Sequence, residues 1–187
     1  MDADFAVELG ADDDTLDMPW TGGADGPRYY DLKLHPEFLS EIPEAQRIWE
    51  LREFLATINS TTSSLETAKC DVWFTTEIHP HEEMFGGSGK FASYVDLLFS
   101  DDSLRFSFDE HEQFVGRLVA LLKKAPEISA AAELIIRRCY YQESADVRDG
   151  LYITFYLFGY GNDEAQARQH WAIGLKLVQN ALRQLSH

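Results

Sequence analysis

Apolar residues recur along this chain at two spacings, and the two alternate in a definite order. Alternation at every second position, which sends side chains to opposite faces of a pleated strand, marks residues 28–34, 69–78, 91–99, 104–108, 133–143 and 150–160 as strands. Recurrence at three- and four-residue steps marks the helices. The first follows Ser40 and Pro43 and carries Ile48, Leu51, Leu55 and Ile58, and it stops at Asn59 and the polar run after it. The second opens at Ser107, with Glu110 at capping-box spacing. It buries Phe114, Val115, Leu118, Val119 and Leu122 and ends at Lys123, Lys124 and Pro126. Asn162 or Asp163 caps the third, whose stripe is Ile173, Leu177, Val178, Ala181 and Leu185.

In chain order this is strand, helix, strand, strand, then the same again, then a closing helix. The pattern predicts an α+β fold: tandem β-α-β-β units whose hairpins pair into one antiparallel sheet, helices on one face, and a C-terminal helix. The segments RYYDLKLHPEF and RFSFDEHEQF run parallel with one gap, and SYVDLLFSDD parallels LYITFYLFGYGND, as an internal duplication would. This element order resembles the tandem strand-helix-hairpin arrangement of GyrI-like effector-binding domains from about Arg28 onward, with the last helix as a departure. The resemblance implies binding of small molecules or partner proteins rather than catalysis.

Residues 1–27 differ from the rest, with eight acidic residues, no Lys or Arg, and interspersed Gly and Pro. They predict an acidic arm attached to a single α+β domain over residues 28–187. Phe5, Val7, Leu9, Leu16, Met18 and Trp20 would tie that arm to the body or, by exchange between chains, to a homodimer partner. With 16 Lys and Arg against 32 Asp and Glu, the formal charge is −16. Such a charge repels phosphates and anionic lipid, so neither nucleic acid nor membrane is an expected partner. A basic protein is an expected one. No targeting segment or membrane-length apolar run is visible, which predicts a soluble cytoplasmic protein. Cys70 and Cys139 lie far apart in apolar strands, as buried free thiols do.

Few residues point to chemistry, and no motif specifies a reaction. Strand alternation places Phe91, Ser93, Val95, Leu97 and Phe99 on one face with Leu151, Ile153, Phe155 and Leu157, where the helices should cover them. The opposite face then presents Trp73, Tyr94, Tyr152 and Tyr156 beside Glu77 and Asp96. Aromatic rings around carboxylates suit a flat or cationic organic ligand, through ring faces and charge together. The loop His79-Pro80-His81-Glu82-Glu83 gathers metal-capable groups, but Pro80 removes the helical spacing that a zinc helix requires. Residues 86–90, GGSGK, contain a phosphate-loop fragment that runs into a strand, where a phosphate loop needs a helix. No cofactor is expected. The function expected is a non-enzymatic binding or interaction protein, for a small organic ligand on the aromatic face or for a basic protein. The rival is a small metal-dependent hydrolase built on His79, His81 and Glu83, with Glu77 or Asp96 as base.

Overall fold

The computed structural model describes residues 1–24, 26–143 and 146–185. Among them, six strands form one sheet: β1 (Asp2–Glu8), β2 (Thr15–Met18), β3 (Leu65–Thr75), β4 (Gly89–Phe99), β5 (Ala130–Glu143) and β6 (Asp146–Gly161). The spatial order is β1-β5-β6-β4-β3, and β2 continues β1 along the same edge of β5. The two long hairpins meet through antiparallel β4 and β6, as the apolar pattern predicts. The class is α+β, but the sheet is mixed, because β1 and β2 both run parallel to β5. The N-terminal acidic segment thus supplies an edge of the sheet. Its backbone groups are paired in two short ladders interrupted by residues 9–14, where Gly10 and Asp13 turn the chain.

The expected leading strand of each tandem unit is absent, and in both places an aspartate accounts for it. Asp31 accepts the N–H groups of Lys33 and Leu34 on its side chain and that of His35 on its carbonyl. This local turn takes backbone donors that a strand needs for its ladder. Asp101 caps Ser103 at 2.8 Å and starts a short helix, α3 (Asp102–Arg105), where residues 104–108 read as a strand. Without these strands, the duplication reduces to a pair of hairpins. The polar turn expected at residues 144–149 lies partly outside the described residues, since Ser144 and Ala145 are not among them, and Asp146 already belongs to β6.

The first predicted helix is split by an extended Ile48 into α1 (Pro43–Arg47) and α2 (Trp49–Ile58), after a 3-10 turn at Pro36–Glu41. Asn59 ends it as expected. Its side chain donates to Leu55 O and to Thr67 Oγ1 and accepts from Thr67 N–H, so the helix stop also anchors β3. Helix α4 (Phe108–Leu122) is capped by Ser107, and α5 (Glu164–Leu185) by Asp163 through Gln166 N–H. The stripe of α5 is rotated from the predicted one. Ala167, Trp171, Leu175, Val178, Ala181 and Leu182 are buried, while Ile173 is exposed.

Helices α2, α4 and α5 cover the face bearing Phe91, Val95, Leu97, Ile153, Phe155 and Leu157, which forms the main core. Trp171 Nε1 donates to Ser93 Oγ at 2.9 Å and locks α5 to β4. No described helix is long and apolar enough to cross a membrane.

Candidate functional site

The other face of the sheet lies opposite helices α2, α4 and α5, and the short α3 meets it at one end, where Arg105 lies over the Tyr141 ring. Directly opposed residues of an antiparallel pair share a face, so the register Asp71, Tyr94, Tyr156, Glu133 makes one row across β3, β4, β6 and β5, and Asp96, Thr154, Ile135 the next. At one end this face is capped by a small second core in which Leu16 and Met18 of β2 pack with Leu98, Cys139, Tyr141 and Tyr152. Trp20, Tyr29 and Phe106 border it. Away from that cap the face stays open, and the candidate site lies there.

A break in β3 shapes the site. The register steps from Thr67 opposite Leu97 to Cys70 opposite Val95, three residues against two. The extra residue is a β-bulge, which reverses the alternation after it. Without the bulge, Lys69 would follow Leu65 and Thr67 onto the helix-covered face. With it, Cys70 takes that place and Lys69 looks onto the open face. The Ala68 carbonyl accepts from Trp20 Nε1 at 2.9 Å, and the Lys69 ammonium lies 5.1 Å from the Trp20 ring centroid. Lys69 makes no hydrogen bond or ion pair among the described residues.

Next to it runs a polar relay through the sheet. Arg137, in the middle of β5, donates from Nε and Nη2 to Glu8 Oε2 of β1 at 3.0 and 2.8 Å. Its Nη1 donates to Thr154 Oγ1 at 3.2 Å and sits 3.4 Å from Asp14. The Thr154 hydroxyl, accepting from Arg137, donates its own proton to Asp96 Oδ1 at 2.9 Å. Asp96 is only 5% exposed. Its second oxygen has no hydrogen-bond partner among the described residues, yet it is not sealed from solvent. Burial pushes this carboxyl up to about 6, against the opposing pull of Thr154, Lys69 and Arg137. Burial, and then the nearby Asp96 charge, also raises the Tyr94 phenol above its ordinary value and that of Tyr152 to about 12.

Two cavities adjoin here. One of about 290 Å³ is walled by Tyr94, Asp96, Tyr152, Thr154 and Tyr156, with Lys69, Arg137 and Asp14 also lining it. The Tyr94 and Tyr156 rings stand 6.0 Å apart, tilted by 51°. A larger one of about 570 Å³ wraps the outer edge of β3 toward residues 27–44, against Trp20, Tyr30, Ile42 and Leu55. Lys69 and Tyr94 line both.

Of the residues expected on this face, Tyr94, Asp96, Tyr152 and Tyr156 come together. Trp73 shares the face but is 37% exposed, beside Ala92 and away from both cavities. Glu77 lies beyond the end of β3, exposed and outside the site, because the strand stops at Thr75. Lys69, Arg137 and Thr154 complete the site. An arginine amid the apolar residues of β5 was the available signal for the relay, whereas the bulge that presents Lys69 has no local signature.

The other sequence candidates are committed elsewhere. Glu82 accepts from Lys90 Nζ at 2.8 and 2.7 Å, from Tyr160 at 2.9 Å and from His79 N–H at 2.8 Å, which seats a 3-10 turn at Pro80–Phe85 on the end of the sheet. His79 and His81 stack at 5.8 Å. No group of three His, Cys, Asp or Glu side chains converges among the described residues. The glycines of the GGSGK run allow close approach to β6: a Cβ on Gly87 would lie 2.6 Å from Gly161 N. Cys70 and Cys139 are free thiols, pushed up to about 12 mainly by burial.

What these elements define is an α+β protein with a mixed sheet, one face under helices and one face bearing a polar, tyrosine-walled cleft. No family model, curated protein or solved structure matches this chain.

Proposed function

We propose that this chain is a binding protein for a small organic molecule, which it takes up on the sheet face opposite helices α2, α4 and α5. One observation carries the proposal: a buried carboxylate, Asp96, with an unspent oxygen in a cavity walled by Tyr94, Tyr152 and Tyr156. That oxygen is left to solvent by the protein, and a ligand donor would meet it with a charge-assisted hydrogen bond beside an otherwise buried carboxylate. Together the two cavities fall in the size range of small-molecule sites, with apolar and aromatic walls and a few convergent polar groups.

The test is a saturation-transfer NMR screen of small aromatic compounds, cationic and uncharged, against the wild type and a Tyr94→Ala/Tyr156→Ala variant. Hits that disappear in the variant are the expected result. Hits that persist in it, or no hits at all, would overturn the assignment of the cleft. A basic protein is the other expected partner; it would meet the acidic surface and would have no need of this recessed cleft.

A further inference from the structure

Charged groups line both cavities, with Arg28, Glu41, Glu44 and Asp71 around the larger one, and the opposite signs of Asp96 and Lys69 say more about the ligand than either cavity does alone. Asp96 offers an acceptor at the inner end, in the smaller cavity. Lys69 stands where the two cavities adjoin, held there by the bulge, its ammonium near the Trp20 ring. The larger cavity beyond Lys69 has aromatic and aliphatic walls from Trp20, Tyr30, Ile42 and Leu55. Of the other cations lining the cleft, Arg137 is already committed to Glu8 and Thr154 and Arg28 lies over the Tyr30 ring and lines only the larger cavity, so Lys69 is the uncommitted cation that borders both cavities.

We infer that the cleft takes a zwitterionic aromatic molecule of the α-amino acid class. Its ammonium meets Asp96, its carboxylate meets Lys69 at the junction, and its flat side chain lies in the larger cavity against Trp20 and Tyr30. Three substituents leave one tetrahedral carbon in such a molecule, and the cleft has three matching environments around one junction. Charge-assisted hydrogen bonds to both head groups would be made beside a buried Asp96 and a half-buried Lys69, where they count for more than at a fully exposed surface. The tilted tyrosine pair adds ring faces beside the ammonium. This inference rests on the binding function proposed above.

The experiment is isothermal titration calorimetry with L-tryptophan, tryptamine and indole-3-propionate, which share one ring and differ only in the head. L-Tryptophan is expected to bind, and each truncated analogue to bind at least about tenfold more weakly. Lys69→Met should abolish the preference for L-tryptophan over tryptamine. Asp96→Asn, which still accepts from Thr154, should abolish the preference over indole-3-propionate. Circular dichroism and thermal unfolding verify that both variants fold, and Thr154→Val provides a second way to disturb Asp96. Equal binding of either analogue would overturn the inference, as would a preference that survives in the matching variant. If none of the three binds while a compound from the wider screen still does so in a Tyr94- and Tyr156-dependent way, the zwitterion assignment falls and the binding function stands. If nothing binds in either experiment, both fall.

Discussion

Asp96 is a stability cost that the fold could have avoided. Its displacement from the usual aspartate value near 4 to about 6 corresponds to about 2–3 kcal/mol of native-state penalty once it is ionised. The folded chain holds this proton more tightly than the unfolded chain does. Stability from this residue is therefore highest below pH about 4 and declines as pH rises through about 6. Lys69, Arg137 and Asp14 are the charges facing it, and the Tyr94 and Tyr152 phenols, both raised, stay neutral throughout that window. Asp96→Asn should accordingly stabilise the protein by about 1–3 kcal/mol at pH about 7.5 and by much less at pH about 4, as read by urea unfolding at the two pH values. A variant destabilised at neutral pH would mean that the carboxylate is compensated by interactions beyond Thr154. A residue whose removal stabilises the chain is a natural candidate for one kept for its function.

Among the elements, β6 and α5 meet backbone to backbone. A Cβ on Gly159 would sit 2.2 Å from Trp171 N and 2.4 Å from Ala167 O, and one on Gly161 2.4 Å from Ala167 N. The helix backbone lies directly on the strand backbone, which is what lets Trp171 reach Ser93. Gly159→Ala should push α5 away and cost about 3 kcal/mol. Gly116, inside α4 with nothing within 4 Å of its would-be Cβ, makes the opposite control: Gly116→Ala should stabilise by about 0.5–1 kcal/mol through helix propensity. Chemical denaturation of the two variants decides the matter, and it fails if they shift in the same direction. Gly159 lies in the strand that alternation predicts over residues 150–160, and Gly161 extends it by one position; both serve packing.

Across the whole molecule, a formal charge of −16 works against compactness. Ion pairs such as Arg137–Glu8, Arg105–Glu66 and Arg168–Glu50 offset the repulsion only locally, and salt screens long-range repulsion more than partly buried pairs. The melting temperature should rise by a few degrees between ~0.02 and ~0.5 M NaCl, measured by calorimetry. A fall would mean that the pairs outweigh the repulsion. The acidic N-terminal segment contributes to both sides: Glu8 and Asp14 engage Arg137, while its backbone completes the edge of the sheet.

What the sequence determined by itself is what periodicity and capping encode within one element. The helices with Ser107 and Asp163 at their starts follow from three- and four-residue recurrence and capping, and the four long strands, the helix-covered aliphatic face and the gathering of Tyr94, Asp96, Tyr152 and Tyr156 on the opposite face follow from alternation, because side-chain direction in a strand is a local property. Turns at Asp31 and Asp101 were less legible, since a single side-chain hydrogen bond competes there with a weak strand pattern. Only the tertiary structure decided the rest. The parallel pairing of β1 and β2 with β5 joins residues more than a hundred positions apart, and no local signal specifies it. The bulge that turns Lys69 toward Asp96 exists because β3 must match a partner strand, and a register is a relation between two strands rather than a property of one.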